Sequence, residues 1–438
     1  MAFDTQQWMV PAMAAQRTWA QTSRLTRRAL LQAWGRELAT ASGTLALALT
    51  RETGKPITLA RGELARGITT LEATVEALAS FGEEAIPYDL MAGAEGCRAT
   101  LRRVAKGVVL AITPFNFPVN LALHKLGPAL GAGCVALWKP SPYAVETSRL
   151  LWQTFEKARS MLGAPDHLIQ LLQVEPAQAE ALAQDPAVAV VSFTGSERVG
   201  LHLRDLLPHK TVVLELGGNA AVVVDASLDP GRITPALASA AMAGAGQSCC
   251  KAQRFYIHES LWEVFVPAFL DAVRALPVGD PMDPATVVGP LIDEAAAIRL
   301  DGALDRAPTV LLRGSRRGAL LPPAVLTDVP ESDPLQCEEL FGPIAVLTKV
   351  PSFEEGVTRA AATRFGLRAS VYTRDPLRWR WAEQRLRAGT VLWNLPPTFR
   401  LDAAPFGGLG VSGQGLEGPR WALESFTEAR LVVEGPGF

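Results

Sequence analysis

Gly107-Val108-Val109-Leu110-Ala111-Ile112-Thr113-Pro114-Phe115-Asn116-Phe117-Pro118 is where the pattern of the chain changes. Val108 to Ile112 is an apolar run of strand length without polar alternation, which reads as a strand buried on both faces. A helix over 119–130 follows the proline-bounded loop. Cys134-Val135-Ala136-Leu137-Trp138 is the next strand, ending at Lys139-Pro140-Ser141-Pro142. A helix over 144–161 and strands over 168–173 and 187–193 continue the series. Strand and helix alternating at this spacing predict an α/β fold with a parallel, doubly wound sheet.

Ligands of such sheets bind at the carboxyl ends of the strands. Asn116, Lys139 and Thr194-Gly195-Ser196 fall there. The last is a strand end, a tight turn and then a helix over 197–206, whose free N–H groups suit a pyrophosphate. An ordinary strand-to-helix turn has the same residues.

Upstream, residues 8–83 read as helical, with one long helix over 14–49. Gly54 and Pro56 end it. A second helix over 58–81 carries Arg61, Glu63, Arg66 and Glu72, which read as a solvated face. Residues 97–104 alternate like an exposed strand. A lone hairpin is unstable, so this strand is expected to pair with another subunit, and 429–433 is a candidate strand to pair with it. Downstream, strands over 220–224, 253–257 and 310–312, a helix over 260–276, and a late strand ending at Trp393-Asn394 predict a second α/β domain.

The chain has 438 residues, 48% hydrophobic and 20% charged, which is an ordinary globular composition of more than one core. Net charge is −2, so no electrostatic footprint favours nucleic acid or an anionic membrane. No apolar run reaches membrane-span length, and no leader peptide is visible at the start. Five cysteines without framework spacing point to a reduced, cytoplasmic setting. There is no Cys-x-x-Cys and the five histidines show no metal spacing, so no metal is expected.

The chemistry is carried by Gly246-Gln247-Ser248-Cys249-Cys250, which follows a run of mostly small residues. Thirty-four residues before Cys249 stands Glu215, in Leu214-Glu215-Leu216-Gly217-Gly218-Asn219. Cys249 reads as a nucleophile and Glu215 as its base. A buried, inert cysteine has the same local sequence. Gly408-x-Gly410-x-x-Gly413 imitates a nucleotide loop, but no clean strand precedes it and no acid follows at the ribose distance. It reads as a flexible closing segment.

Eight stretches in order resemble the NAD(P)-dependent aldehyde dehydrogenases, over nearly the whole chain. They are Thr53-Gly54-Lys55-Pro56, Pro114-Phe115-Asn116-Phe117-Pro118, Lys139-Pro140-Ser141, Phe193-Thr194-Gly195-Ser196, Glu215-Leu216-Gly217-Gly218, Gly246-Gln247-Ser248-Cys249, Glu338-Glu339-Leu340-Phe341-Gly342-Pro343 and Pro405-Phe406-Gly407-Gly408. The resemblance implies a Rossmann-like cofactor domain (1–91 and 106–216, with 412–425 returning), a catalytic domain (217–411), and an oligomerisation hairpin and tail (92–105 and 426–438). A homodimer or homotetramer follows from that third part.

The resemblance also implies roles. Cys249 attacks an aldehyde, the Asn116 amide and the Cys249 N–H hold the oxyanion, and Glu215 activates water. NAD or NADP would lie along Thr113, Pro114, Phe115, Lys139, Ser141, Pro142, Thr194, Gly195, Ser196, Leu216, Gly217, Glu339 and Phe341. Lys139 and Glu339 would hold its two riboses. Pro142 stands where NAD-preferring members often carry Glu, which implies that NADP is tolerated or preferred. Phe117, Asn120, His124, Ser248, Cys250, Arg400 and Phe406 would line the substrate tunnel, implying a small polar or anionic aldehyde. Arg400 would meet its anion, or would simply pair with Asp402. The rival readings are a CoA-acylating relative, which generally lacks Glu at 215, a cysteine hydrolase, and a non-catalytic homologue.

Overall fold

The computed structural model describes residues 4–436, so the reading of the first three residues and of the last two of the tail lies outside it. The amino-terminal region is three helices, α1 (Gln6–Trp19), α2 (Arg24–Thr53) and α3 (Ile57–Ser80). The single helix expected over 14–49 is therefore broken. Thr22 Oγ1 donates to the Trp19 carbonyl at 2.7 Å, and Ser23 Oγ accepts the Thr26 N–H at 3.1 Å. Short hydroxyl side chains compete with the helix ladder and cap a new helix, which apolar periodicity alone does not register. Gly54 closes α2 in the left-handed conformation, φ +69°.

The solvated face expected on α3 holds for Arg61 and Glu72 but not for Glu63 or Arg66. Glu63 is buried, pairs with Lys55, and accepts the N–H groups of Val119 and Asn120 at 2.9 and 3.1 Å. It thus satisfies the open amino end of the helix that follows the Pro118 loop. Arg66 binds Asp402 through two parallel hydrogen bonds of 2.8 and 2.7 Å. Val119, Asn120 and Asp402 are remote in sequence, so periodicity could not reveal them.

Beyond α3 run β1 (Glu84–Ile86), β2 (Arg98–Ala105), β3 (Val108–Ile112), α4 (Asn120–Ala132), β4 (Ala136–Lys139), α5 (Val145–Met161), β5 (Ile169–Leu171), α6 (Pro176–Gln184), β6 (Val188–Thr194), α7 (Glu197–Leu206) and β7 (Thr211–Glu215). The second half adds β8 (Ala221–Val224), α8 (Pro230–Met242), β9 (Arg254–His258), β10 (Thr309–Leu312), β11 (Ala324–Thr327), β12 (Ile344–Val350), β13 (Phe365–Gly366), β14 (Arg368–Tyr372), β15 (Thr390–Trp393), β16 (Leu409–Gly410), β17 (Gly413–Gln414) and β18 (Thr427–Glu434).

Two large sheets result. The first has order β17-β7-β6-β3-β4-β5, parallel except for β17, and the second has order β10-β11-β12-β9-β8-β14-β15, parallel except for β10. In the first, Ile112 is opposite Lys139 and Phe193, and Thr194 is opposite Glu215, so four strand ends form one rim. The glycine-rich segment over 407–415 is not a free closing loop. Its two halves are tied down as β16 against β13 and β17 against β7. The strand at 98–105 is flanked within its own chain by β1 and by β18, which pairs with it from Thr427↔Ala105 to Glu434↔Arg98. Among the described residues, no helix is long and apolar enough to cross a membrane.

Candidate active site

The turn that delivers Cys249 follows α8. Gly244, Ala245 and Gly246 all have positive φ, 61°, 56° and 63°. A Cβ at Gly246 would come within 2.3 Å of the Gly342 carbonyl oxygen, so only glycine fits there. Gln247 anchors the next step: its Oε1 accepts the Ile292 N–H at 2.9 Å and its carbonyl accepts Asn116 Nδ2 at 3.0 Å. The Glu215-to-Gly218 loop lies against the same backbone, since a Cβ on Gly218 would be 2.8 Å from the Cys249 carbonyl oxygen. Cys249 is partly exposed and Cys250 is buried, with their sulfurs 3.7 Å apart. Ser248 Oγ accepts the Cys250 N–H at 3.3 Å.

The two thiols polarise one another. The hydrogen bond to Cys250, together with burial, raises the Cys249 thiol. The same bond, helped by the Arg368, Arg400 and Arg66 guanidiniums against burial, brings Cys250 down to about 6. One sulfur of the pair therefore ionises with unusual ease.

Glu215 ends β7 and is 3% exposed, yet neither carboxyl oxygen has a hydrogen-bond partner. Gly407 leaves room beside it: a Cβ there would be 3.4 Å from Oε1. Burial pushes the Glu215 carboxyl well above the usual range, Glu417 pushes it the same way, and Lys125 and Arg400 pull against them. Glu417 itself is ion-paired with Lys125, both buried. A buried acid kept without partners is poised to exchange protons at neutral pH rather than to stabilise the fold.

On the rim of the first sheet the expected cofactor residues come together. Thr113 Oγ1 accepts the Trp138 indole N–H at 2.9 Å. Pro114 is half-buried. The Phe115 ring meets Phe341 edge-on at 6.0 Å and Tyr143 at 5.9 Å. Burial lowers Lys139. Ser141 Oγ accepts the Tyr143 N–H at 3.2 Å, and Pro142 is exposed. Thr194 Oγ1 is buried without a partner, and Ser196 heads α7 without capping it by its side chain. Leu216 is buried against Gly200 of α7. A Cβ on Gly195 would meet the Phe193 ring at 2.5 Å, and one on Gly217 would meet Glu339 Oε2 at 2.4 Å. Glu339 Oε1 accepts the Gly218 N–H at 2.9 Å, and burial raises its carboxyl to about 7. An orphaned hydroxyl, an open helix end and a glycine-smoothed groove fit a nicotinamide dinucleotide.

The polar residues of the other side are arranged in two layers. Asn120 and His124 are fully buried in α4 and face Asp402, whose Oδ1 accepts Asn120 Nδ2 at 3.0 Å and lies 3.1 Å from His124 Nε2. Thr70 Oγ1 donates to Asn120 Oδ1 at 2.8 Å. These two residues hold Asp402 from behind rather than lining an open tunnel. Burial lowers the His124 imidazole and Arg400 acts in the same direction, while Asp402 and Glu417 pull against them. Arg400 does pair with Asp402, as an ion pair with Nε 3.6 Å from Oδ1 and no hydrogen bond. It also stacks over the Phe406 ring at 3.9 Å, with Nη2 3.1 Å from His124 Nε2. Lys55 lies 3.8 Å over the Phe117 ring.

Sequence reasoning missed Lys55, Arg66 and Arg368. Only Arg368 left a signal. It is a charge in the otherwise apolar run Phe365-Gly366-Leu367-Arg368-Ala369, and it is 6% exposed in β14.

A strand-end rim fit for a dinucleotide, a partly exposed thiol on a strained turn and a buried carboxyl on the loop packed against that turn are the layout of a nucleotide-dependent enzyme. The aldehyde dehydrogenase family model matches residues 2–432, and the chain belongs to that family. It is 34% identical over 390 residues to the 3-sulfolactaldehyde dehydrogenase of Priestia aryabhattai, covering 88% of this chain and 81% of that protein. Aldehyde dehydrogenase 21 from Physcomitrella patens, solved with the reaction product succinate, superposes with a TM-score of 0.93 at 32% identity, covering 98% of this chain and 89% of that one. The NADP complex of glyceraldehyde-3-phosphate dehydrogenase GapN from Methanocaldococcus jannaschii gives 0.94 at 29% identity, covering 98% and 94%.

Proposed function

We propose that this chain oxidises a small polar or anionic aldehyde to the carboxylic acid, with Cys249 as nucleophile, Glu215 as general base and Asn116 as oxyanion donor. The observation that carries this reading is the buried, unpartnered Glu215 carboxyl packed with the loop that touches the backbone of a partly exposed thiol. A primary amide has two N–H donors. Asn116 spends one on Gln247, and the other remains for the oxygen of a substrate.

Cys249 passes its proton to the Cys250 thiolate it is hydrogen-bonded to, its sulfur bonds to the carbonyl carbon, and the C=O pair moves onto oxygen, where the Asn116 amide stabilises it. As the oxyanion pair returns to C=O the C–H bond breaks, and a nicotinamide held at Leu216, Gly217 and Phe341 would accept the hydride, leaving a thioester on Cys249. Glu215 then takes a proton from water as its oxygen bonds to that carbon. The C–S bond breaks, the thiolate is regenerated and the acid leaves. A carboxyl whose proton affinity is raised is a stronger base for that step.

Lys139 and Glu339 would hold the riboses, Thr194, Gly195 and Ser196 the phosphates, and Leu216, Gly217 and Phe341 the nicotinamide end. An exposed Pro142 offers no carboxylate to repel a 2′-phosphate, so NADP is accepted. The NADP complex of a structural relative supports this. The names of relatives, sulfolactaldehyde dehydrogenase and an enzyme solved with succinate, support a small anionic substrate. The first sheet with α1–α3 would form the cofactor unit and the second sheet the catalytic unit. The open outer edge of β18, with Leu431 and Val433 exposed, supports a homodimer or homotetramer, and the five free cysteines support a reducing, cytoplasmic setting.

The test is an aldehyde panel run with NAD and with NADP. Succinic semialdehyde, lactaldehyde and sulfoacetaldehyde should outcompete a long apolar alkanal. The reverse order would discard the substrate class. Loss of turnover in Cys249→Ala with nucleotide binding retained is expected. Full turnover in that variant would discard the mechanism.

A further inference from the structure

Two guanidiniums from different elements converge on one aromatic ring. Arg368 of β14 lies 5.1 Å from the Phe406 centroid and Arg400 lies 3.9 Å from it. Both are buried, Arg368 at 6% exposed and the Arg400 side chain at 11%. Each keeps a buried Nε–H with no hydrogen-bond partner. Arg368 has neutral contacts: its Nη1 donates to the Pro397 carbonyl at 2.9 Å and to the Phe399 carbonyl. Arg400 Nη2 faces His124, and its Nε lies 3.6 Å from Asp402 Oδ1, a carboxylate it shares with Arg66.

The charges around them do not balance. Lys55 is spent on Glu63 and Lys125 on Glu417. The carboxylate of Asp402 is gripped by Arg66 through two hydrogen bonds. Three guanidiniums against one carboxylate leave two positive charges, and a Cys250 thiolate would offset only one of them. Unpaired buried charge is costly unless a partner arrives to neutralise it. The Phe406 ring that both guanidiniums overlie packs in one cluster with Leu367 and Cys250, against Cys249, so the pair lies beside the site of reaction.

We propose that Arg368 and Arg400 together form an anion receptor over the Phe406 ring that takes the ionised acid tail of the substrate, a carboxylate or sulfonate, and that Arg368 is a specificity-determining residue. This rests on the dehydrogenase reading above and sharpens its substrate from polar to fully ionised. Because Arg368 also ties down the 397–399 backbone, it sets the position of Arg400 as well as adding charge.

The experiment measures kcat/KM for succinic semialdehyde and sulfoacetaldehyde against neutral butanal in wild type, Arg368→Met, Arg368→Lys and Arg400→Met. The anionic-to-neutral ratio should fall at least about ten-fold in each Met variant, equivalent to ~1.4 kcal/mol, and Arg368→Lys should restore part of it. An unchanged ratio in Arg368→Met overturns the proposal, even if both substrates slow together. Should that variant not fold, inhibition of the wild type decides. Propane-1-sulfonate and butyrate should compete with aldehyde far more tightly than butyramide, and salt should weaken them. Equal inhibition overturns the receptor. Wild type that oxidises butanal but neither anionic aldehyde overturns the receptor while the dehydrogenase reading stands. No aldehyde oxidised with either cofactor overturns both.

Discussion

The Lys125 ammonium and the Glu417 carboxylate form an ion pair in which neither side chain is more than 2% exposed. It joins α4 to the segment that returns from the second sheet to the first, beside the Glu215 carboxyl. Breaking such a pair leaves one buried charge without a partner. Lys125→Met should therefore destabilise the fold by roughly 3–5 kcal/mol. The double variant Lys125→Met/Glu417→Leu should recover most of that loss. Chemical denaturation of both variants checks this, and a single variant as stable as wild type would show that the pair carries no such cost.

Glu215 makes the opposite prediction. Its folded carboxyl holds its proton above the usual carboxylate range, while in the unfolded chain it releases the proton near 4.3. Between those two values the folded state binds more protons than the unfolded one. Stability contributed by this group is thus present below the unfolded value and is lost as pH rises toward the folded one. Glu215→Gln should be more stable than wild type by about 1–2 kcal/mol at neutral pH, with the gap closing on acidification. Melting curves from acid to neutral pH test the sign. A gap that widened toward acid would contradict it.

The thiol pair has its own pH signature. Cys250 is brought down to about 6 by the Cys249 hydrogen bond, with Arg368, Arg400 and Arg66 assisting. Alkylation of the pair without cofactor should rise with pH through a midpoint about 6, and Arg368→Met should move that midpoint upward. Peptide mapping after iodoacetamide treatment reads both the rate and the sulfur modified. A midpoint near 8.5, that of a free cysteine, would remove the role given to the guanidiniums.

Cofactor choice turns on an exposed position. Pro142→Glu places a carboxylate near the residue proposed to hold the adenine ribose, and like charges in contact are costly. The NADP-to-NAD ratio of kcat/KM should drop at least roughly ten-fold, ~1.4 kcal/mol. An unchanged ratio would place the 2′-phosphate elsewhere.

What the residues disclosed and what they concealed divide along a physical line. Strands β3, β4 and β6 and helix α7 were legible because apolar runs and turn chemistry are local. That the stretches carrying Cys249, Glu215 and Asn116 meet in one place was legible because their types and order are specific, and the roles given to them are the ones proposed above. Glu63 and Arg66 read as solvent-facing because charged residues at helical spacing usually are, and their partners stand far along the chain at Val119 and Asp402. His124 and Asn120 read as tunnel lining, although each is held inward by a carboxylate that spacing cannot reveal. The glycines at 408, 410 and 413 suggested mobility, but their short strand pairings depend on the arrangement of both sheets.

The most direct measurement is the intact mass of Glu215→Gln after one turnover with NADP and a saturating aldehyde. With hydrolysis blocked, the protein should gain the mass of the acyl group, mapped to the peptide containing Cys249 and absent in Cys249→Ala. An acyl group carried by Cys250, or rapid release of acid with no adduct at all, would contradict the assignment of nucleophile and base.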